Sequence, residues 1–213
     1  INGGLSTGAN AKVRLINGAL ACNVYWKTEG AVNIGNASTI RGTIVANNAA
    51  ISFGTLDSLG GRALSTNGAI RLNSLTAFTP LGCGSTVLTG PVAPTLGAVG
   101  SFALFTSIGP VSNGCATSYI TGDIGSNLGS VTNYNPLFVN GTIHTPPNAT
   151  TAAAATALTA AYGQLNTLPI DITLLYPAIF GHKLVLTPHT YLLNAATTLT
   201  DTLYLNAQGN PDA

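Results

Sequence analysis

Charged side chains are scarce in this chain, and their scarcity excludes whole classes of function. Only 6% of the 213 residues are Asp, Glu, Lys or Arg, and the net charge is +1, whereas about 25% charged residues is usual for a soluble protein. A nucleic-acid-binding protein needs clustered Lys and Arg to neutralise phosphates, and seven dispersed basic residues form no such cluster. We therefore expect no nucleic-acid partner and a surface built from Gly, Ala, Asn, Ser and Thr.

Methionine and long apolar runs are also missing. Although 46% of the residues are hydrophobic, no run approaches the roughly 20 apolar residues of a membrane span. The chain begins at Ile1 without the basic and apolar regions of a signal peptide. The sequence therefore predicts mature material, or a fragment, of a secreted or cell-surface protein without a membrane span.

The sequence carries none of the motifs H-E-x-x-H, G-x-S-x-G or the P-loop. The acidic residues Glu29 and Asp57 occupy different positions of the repeat described below, so no carboxylate pair results for acid–base catalysis. His182 and His189 are separated by a short apolar segment, and we interpret them as loop residues rather than a metal pair. We predict a protein that is not an enzyme and that holds neither a metal nor a cofactor.

Three cysteines, Cys22, Cys83 and Cys115, lie far apart in the sequence. Their spacing matches no C-x-x-C metal or redox site. One disulfide bond with one free thiol fits an oxidising compartment, and three buried, inert thiols fit equally well. The pairing stays open at this point.

A repeat with a period of about 19 residues, within the range of solenoid repeats, runs through the first third of the chain. Segment 42–53 aligns with 61–72 and, one period earlier, with 23–34. Apolar and polar residues alternate within each copy, which is typical of strands, and a shared phase across copies indicates stacked strands. The predicted apolar columns are Val13, Val32, Ile51 and Ile70, and Leu15, Ile34, Phe53 and Leu72, with a polar column of Arg14, Asn33, Ser52 and Arg71 between them.

The fold class predicted from this pattern is a mostly β protein, a β-solenoid (β-helix) of roughly 19-residue coils with one long α-helix alongside. Residues 1–79 are predicted to be solenoid coils, 80–100 a linker, and 101–213 the remaining coils, a cap region and the helix. The helix is predicted at about 148–165, with Asn148 as its N-cap. Leu158, Ala161, Tyr162 and Leu165 share one face of it. The parts form either one composite domain or pieces of tandem copies.

Several segments resemble the bacterial and fungal ice-binding proteins, which are built as a discontinuous β-solenoid with a long helix alongside. The segments that carry the resemblance are Asn17-Gly-Ala-Leu-Ala-Cys-Asn-Val-Tyr-Trp26, Gly61-Arg-Ala-Leu64, Ser101-Phe-Ala-Leu-Phe105, Thr121-Gly-Asp-Ile-Gly125, Asn140-Gly-Thr-Ile-His144 and Leu205-Asn-Ala-Gln-Gly-Asn-Pro211. Together they span most of the chain. The resemblance implies the same fold and a flat solenoid face that orders water in an ice-like lattice.

The order of the segments departs from that family. There, the equivalent of 101–213 comes first and the equivalent of 1–79 follows, with a short apolar strand between them that neither end of this chain supplies. A window across tandem copies explains the exchange, and so does a subunit whose missing strand comes from a neighbouring molecule. The second explanation predicts a homo-polymer formed by strand addition, because an unpaired rung exposes backbone N–H and C=O groups.

An ice-binding face needs short, rigid, uncharged side chains at the regular spacing of the rungs. Arg14, Lys27, Arg62 and Arg71 lie near the candidate columns and count against flatness. The candidates for contact with ice or a surface are Thr7, Asn10, Thr28, Asn47, Thr66, Thr39 and Ser58. A further Thr-rich patch lies at 197–202.

The leading functional prediction is an extracellular ice-binding-like module whose partner is ice or a surface. The alternative is a structural subunit or repeat of an extracellular filament or adhesin, completed by a strand from a neighbour. Glycosylation sequences of the N-x-[ST] type occur at Asn36, Asn140 and Asn148, and Ser58 and Thr202 lie in short sequences that resemble O-glycosylation signals of some surface-layer bacteria.

Overall fold

The computed structural model describes residues 1–80, 92–115, 117–175 and 180–210. In chain order the elements are β1 (Leu5–Thr7), β2 (Lys12–Ile16), β3 (Tyr25–Thr28), β4 (Val32–Ile34), β5 (Thr39–Ala46), β6 (Ile51–Phe53), β7 (Ser58–Ser65), β8 (Ile70–Leu72), β9 (Thr76–Phe78), β10 (Phe102–Ile108), β11 (Val111–Asn113), β12 (Tyr119–Thr121), β13 (Asp123–Leu128), β14 (Val131–Thr132), β15 (Val139–Asn140), β16 (Ile143–His144), α1 (Ala149–Asn166), β17 (Ile172–Leu174), β18 (Val185–Leu186), β19 (Tyr191–Leu193), β20 (Thr197–Leu199) and β21 (Thr202–Asn206). Short 3₁₀ helices cover Ala21–Asn23, Gly97–Ser101 and Pro136–Phe138.

Parallel strands stack into a β-solenoid, which confirms the predicted fold class. Seven strands form one sheet in the order β14-β11-β8-β6-β4-β1-β20, and we call its outer surface face A. The second sheet is divided by a bend in β5 and β7. Its first part, face B, contains β18, β21, β2, the starts of β5 and β7, β9, β12 and β15, and its second part, face C, contains β3, the ends of β5 and β7, β10, β13 and β16. The coils thus present three faces.

The bend between faces B and C depends on paired glycines. Gly42 in β5 lies at φ +110°, which strains any residue that carries a Cβ atom. Gly61 in β7 is in register with Gly42, and a Cβ atom at Gly61 would collide with the Gly42 carbonyl oxygen. Glycine is therefore required in both coils for the chain to turn here.

The apolar columns of the repeat are confirmed for three of their four copies. Val32 is paired with Ile51 and Ile51 with Ile70, and all three side chains are fully buried in the shared interior. The placement of Val13 and Leu15 in the same columns was wrong. They lie in β2 and pair with β21, and the strand beside β4 is β1, in which Leu5 is the partner of Val32.

The reason for that error is an insertion in the first coil. The step from Leu5 to Val32 is longer than one period of the repeat, because the segment with the 3₁₀ helix Ala21–Asn23 protrudes between β2 and β3. The next two steps, to Ile51 and then to Ile70, are one period each. An inserted loop changes the count along the chain but leaves the stacking of strands intact.

Strands from the two parts of the chain share the same sheets, with those of the first part in one block and those of the second part at its two sides. Strand β8 pairs with β11, β7 pairs with β10, and β1 pairs with β20. The interior therefore runs through both parts. It is filled mainly by aliphatic side chains, with Trp26 and Phe180 near one end.

The helix α1 matches the prediction to within one residue at each end. The side chain of Asn148 caps it by accepting a hydrogen bond from the Thr151 amide at 2.9 Å. Leu158, Ala161 and Leu165 are buried as expected, whereas Tyr162 is only half-buried. Of the residues that the structure describes, no helical stretch has the length and hydropathy to cross a bilayer.

Helix α1 lies along face C and closes a second, smaller core. The outward side chains of Val45, Leu64 and Phe105 are fully buried against Leu158 and its neighbours on the helix. Face C is therefore covered, and faces A and B carry the open surface of the coils.

Candidate functional site

Face A carries one column of short polar side chains across seven rungs. Each three-residue strand of this sheet buries its first and third residues and turns its middle residue outward. The strands are in register, so the middle residues lie directly above one another at the roughly 4.8 Å spacing of paired strands. The column is Thr198, Ser6, Asn33, Ser52, Arg71, Ser112 and Thr132.

The residues that flank these strands are equally small. Immediately before the seven strands, in the same order, stand Ala196, Gly4, Ala31, Ala50, Ala69, Pro110 and Ser130. Immediately after them stand Thr200, Gly8, Gly35, Gly54, Asn73, Gly114 and Asn133. The inner rungs of face A therefore form a strip with polar side chains along its middle and mostly Ala or Gly on both sides, whereas larger residues flank the outermost rungs and Asn73 flanks the rung of Arg71.

Arg71 is the charged member of this column. It is exposed and lies between Ser52 and Ser112. A guanidinium on a long side chain projects above neighbours that end at a hydroxyl, and it holds its own hydration shell. Arg71 therefore divides the strip into a four-rung part on one side and a two-rung part on the other.

Face B has a different character, because long and charged side chains stand on it. One of its columns contains Thr202, Lys12, Thr39, Ser58, Thr76 and Tyr119. The other column contains, from rung to rung, Tyr204, Arg14, Arg41, Gly60, Phe78, Thr121 and Asn140. Face B is therefore uneven and positively charged at one end.

Gly60 makes room for a side-chain contact across face B. The guanidinium carbon of Arg41 lies 5.5 Å from the ring centre of Phe78, two rungs away, which is a cation–π distance. A Cβ atom at Gly60 would collide with both side chains. This raised pair covers the middle of face B.

A polar cluster joins the end of α1 to the solenoid. Glu29 accepts hydrogen bonds from the Tyr162 hydroxyl at 2.9 Å and from the Asn47 amide at 2.8 Å, and it forms an ion pair with Lys27. Lys27 also donates to Asn166 at 2.8 Å. Partial burial by itself would raise the pKa of Glu29, but the hydrogen bonds from Lys27, Asn47 and Tyr162 outweigh it and lower that pKa.

The predicted contact residues lie in three different places. Thr7 is nearly buried, where its hydroxyl accepts a hydrogen bond from the Gly35 amide at 2.8 Å, and Asn10 is exposed at the corner between faces A and B. Thr39 and Ser58 are paired in one column of face B, as expected.

The remaining three candidates do not form one exposed column. Thr28 is fully buried and is in register with Ala46, one residue before Asn47. Asn47 and Thr66 are partly buried, and the Thr66 hydroxyl donates a hydrogen bond to the side-chain oxygen Oδ1 of Asn47 at 3.1 Å. Because Thr28 cannot reach solvent, it leaves the candidate set. The loop between β3 and β4 is one residue shorter than the loop between β5 and β6, so Thr28 pairs with Ala46 instead of aligning with Asn47.

Two of the charges expected to disturb the binding face lie elsewhere. Lys27 belongs to the cluster at the end of α1. Arg62 donates from Nε to the Gly100 carbonyl oxygen at 2.8 Å, beside the 3₁₀ helix that precedes β10. Both therefore stand on the helix-covered side of the solenoid and away from face A.

Sequence reasoning missed most of the face A column. Asn33, Ser52 and Arg71 were recognised as a polar column but not as a binding surface, and Thr198 was seen only as part of a Thr-rich run. Ser6 was not recognised at all, because the insertion in the first coil hides its register. Ser112 and Thr132 lie in coils whose spacing departs from the period of the repeat.

The glycosylation candidates differ in exposure. Asn36 and Asn140 are exposed, whereas Ser58 and Thr202 are partly covered. The side-chain oxygen of Asn148 caps α1, and its side-chain N–H donates a hydrogen bond to the Thr145 carbonyl oxygen at 2.9 Å. A glycan on that nitrogen would therefore disturb the N-cap of α1.

The cysteines lie in different surroundings. Cys22 takes part in a disulfide bond, Cys115 carries a free thiol, and Cys83 lies outside the described residues. Within the described ranges, no three His, Cys, Asp or Glu side chains are grouped so that they could hold a metal ion.

Comparison with known proteins adds two findings. A family model described as Ice-binding-like matches residues 1–77 and 105–213. The crystal structure of an ice binding protein from an Antarctic bacterium of the Flavobacteriaceae is similar to the chain, with 54% sequence identity and a TM-score of 0.57. The similarity covers 99% of this chain and 49% of that one, so the chain spans about half the length of that relative. No curated protein matches the chain significantly.

Proposed function

Because this chain belongs to the Ice-binding-like family, we propose that it binds ice and that face A is the surface that does so. The observation that carries the choice of face is the seven-rung column, short and polar in every rung except that of Arg71, with mostly Ala and Gly alongside. Face C cannot serve, because α1 covers it.

The physical argument rests on rigidity and spacing. Ser, Thr and Asn side chains are short, and Thr is also stiff at χ1 because it is β-branched, so their hydroxyl or amide groups can hold water molecules close to the sheet. Repetition at the strand spacing then orders a row of such waters. The Ala and Gly residues alongside let an extended flat solid approach the backbone without a collision.

Face B is the second candidate surface, and it contains the predicted residues Thr39 and Ser58. Its charges argue against it, because Lys12 and Arg14 are exposed and a charged group is costly to bring out of water against an ice lattice. Its raised aromatic side chains, Phe78 and Tyr119, argue against flatness. We therefore place it behind face A.

The test is a comparison of two matched variants in thermal hysteresis and ice-recrystallisation assays. Ser52→Tyr puts a bulky side chain in the centre of face A, and Thr39→Tyr puts the same side chain on face B. We expect the wild-type chain to be active, Ser52→Tyr to lose most of the activity, and Thr39→Tyr to keep it. Circular dichroism and thermal melting check that both variants fold.

Two results would count against the proposal in different ways. A folded wild-type chain that is inactive at high concentration refutes ice binding. Loss of activity in Thr39→Tyr together with full activity in Ser52→Tyr keeps ice binding but moves the surface to face B.

The setting that fits this function is extracellular, with ice as the partner and no catalytic role. Two features support this setting: the disulfide bond at Cys22, which persists in an oxidising compartment, and the low content of charged residues. Detection of the native protein in culture medium or on the cell surface tests the location.

A second candidate function is a structural subunit of a filament or adhesin. The observation that favours it is the outer edge of β3, which among the described residues bonds only to Ile1 at its end, so that a strand from a neighbouring molecule could pair there. Negative-stain microscopy of native material tests it, and a field of dispersed particles would rule it out.

A further inference from the structure

Four of the seven basic residues, although dispersed in the sequence, meet at one end of face B. Lys12 and Arg14 point outward from β2, because the residue between them is buried. Arg41 stands in the next rung, in the same column as Arg14. Lys183 is exposed on the β18 side of β21, where its amide donates to the Thr202 carbonyl oxygen at 2.7 Å. We call Lys12, Arg14, Arg41 and Lys183 the basic patch.

The charges of the basic patch are not neutralised by the part of the chain that the structure describes. None of the four side chains forms an ion pair there, and the Nη1 atom of Arg41 is buried without a hydrogen-bond acceptor. Glu29 is engaged at the end of α1, and Asp123 lies on face C. Asp201 adjoins the patch at the corner with face A, where its carboxylate accepts a hydrogen bond from the Thr202 hydroxyl at 3.3 Å. Positive charge therefore remains in excess at this end of face B.

Aromatic rings stand on the other half of face B. Phe78 and Tyr119 are 40% and 54% exposed, and the centre of the Tyr119 ring lies 4.8 Å from that of Phe138. A shallow cavity of about 390 Å³ adjoins this pair, and its lining includes Thr121 and Asn140. We call Phe78, Tyr119 and Phe138 the aromatic end. Its exposed rings border a hydroxyl and an amide group.

The two halves form one straight track. Arg41 joins them through its cation–π contact with Phe78. From β18 to β15 the sheet crosses eight strands, which is about 33 Å at 4.7–4.8 Å for each step between strands. A ligand that fills this track must be long, negatively charged, able to stack on aromatic rings and rich in hydrogen-bonding groups.

We propose that face B binds an acidic polysaccharide, with the acid groups of the polymer on the basic patch and its sugar rings on the aromatic end. Lys and Arg pair with carboxylate and sulfate groups through charge-assisted hydrogen bonds. The C–H faces of sugar rings pack on the negative faces of aromatic rings. Sugar hydroxyl groups can exchange hydrogen bonds with Thr121 and Asn140.

Two other anionic partners fit this face less well. Duplex DNA carries one negative charge per about 1.7 Å of its axis, and the four cations of the basic patch, spread over several strands, would neutralise only a small part of that charge. A bilayer would set acyl chains against the aromatic end, where Thr121 and Asn140 would lose water without gaining a hydrogen-bond partner. A polysaccharide supplies acid groups at one end of the track and hydroxyl groups at the other.

The test measures binding of the wild-type chain to alginate, whose acid groups are carboxylates, to dextran sulfate and to uncharged dextran. We expect binding to at least one of the two acidic polymers and none to dextran. The binding should weaken as NaCl is raised from about 0.05 to about 0.5 M, because salt screens exposed charges. The tighter of the two acidic polymers identifies the acid group that face B prefers.

Matched variants locate the contact. Arg14→Ser and Arg71→Ser remove the same exposed charge from face B and from face A. We expect Arg14→Ser to weaken binding about three- to fivefold, the range of one exposed ion pair, and to reduce the dependence on salt, whereas Arg71→Ser should change neither. Tyr119→Ala should weaken binding to a similar degree and leave the salt dependence unchanged, because it removes a ring and no charge. Circular dichroism checks that the variants fold.

Three results would overturn the proposal. The first is a folded wild-type chain that binds neither acidic polymer at low salt. The second is an equal loss in Arg14→Ser and Arg71→Ser, since net charge alone would then explain the binding. The third is tighter binding to duplex DNA or to phosphatidylglycerol vesicles than to either polysaccharide, which would assign face B to that partner instead. Ice binding is measured separately by thermal hysteresis, so neither outcome decides the other.

Discussion

The hydroxyl group of Tyr162 donates a hydrogen bond to the Glu29 carboxylate at 2.9 Å and so joins the helix to the solenoid across 133 positions of the sequence. The Lys27 ammonium group lies 5.3 Å from the centre of the Tyr162 ring and pairs with the same carboxylate. The helix covers face C through apolar contacts, and this cluster holds its last turns at the ends of β3 and β5.

Tyr162→Phe should therefore destabilise the protein by about 1 kcal/mol, the usual net value of a hydrogen bond, because solvent exposure of this bond offsets the gain from its charged acceptor. Chemical unfolding monitored by circular dichroism measures it. Tyr119→Phe, at an exposed tyrosine of face B, is the control and should change little. Because the pKa of Glu29 is lowered in the folded protein, the contribution of its carboxylate is present at neutral pH and is lost as the pH falls below its ordinary value of 4.5 and through the lowered pKa.

Arg71→Ser should raise ice-binding activity, because it removes the charge that divides the face A column and leaves a run of seven short side chains. The measurement is thermal hysteresis at equal protein concentration. Arg14→Ser on face B removes the same charge and is the control. An equal change in both variants would show that net charge, rather than the flatness of face A, is responsible.

Gly61→Ala should destabilise the fold by about 2 kcal/mol or more, because its Cβ atom would collide with the Gly42 carbonyl at the bend between faces B and C. Gly163→Ala makes the same substitution in α1, where a Cβ atom meets nothing within 4 Å, and should stabilise by about 0.5–1 kcal/mol through helix propensity. Thermal melting compares the two, and equal effects would contradict the close approach of the coils.

Asp57→Asn should remove a pH dependence of stability. Burial raises the pKa of Asp57 from 3.8 to about 6, although the Ser38 amide donates to one carboxylate oxygen at 2.9 Å. The folded state then binds the proton more tightly than the unfolded state, so stability rises as the pH falls from about 6 to about 4. At pH 7 we expect the variant to be more stable by about 1–2 kcal/mol.

Unfolding curves of wild type and variant between pH 4 and pH 7 measure the difference. Asp171→Asn is the control, since Asp171 is exposed and also accepts a backbone hydrogen bond, from Thr190 at 2.8 Å. A constant difference between wild type and Asp57→Asn across this range would show that Asp57 does not titrate there.

The repeat was readable from the sequence wherever the coil length was constant. Val32, Ile51 and Ile70 recur at a fixed interval, and that period alone predicts their stacking. Leu5, Val111 and Thr197 belong to the same sheet, but a loop, a linker and the helix separate them from the regular coils. No period connects them, so only three-dimensional contacts reveal that face A has seven rungs.

The candidate surface was harder to predict for the same reason. Ser52 was noticed as part of a polar column, but nothing in the sequence says which of the three faces the helix covers. The extent of the linker, and whether the chain forms one composite domain or parts of tandem copies, stays a prediction.

The sequence by itself determined a stacked β architecture, a capped helix and a surface poor in charge, because strand alternation, helix capping and composition are local properties. The tertiary structure decided which column is exposed, which charges are taken up at the helix, and that β1 of the first part pairs with β20 of the second part. Those features depend on which coils become neighbours in space, and insertions of unequal length hide that from any count along the chain.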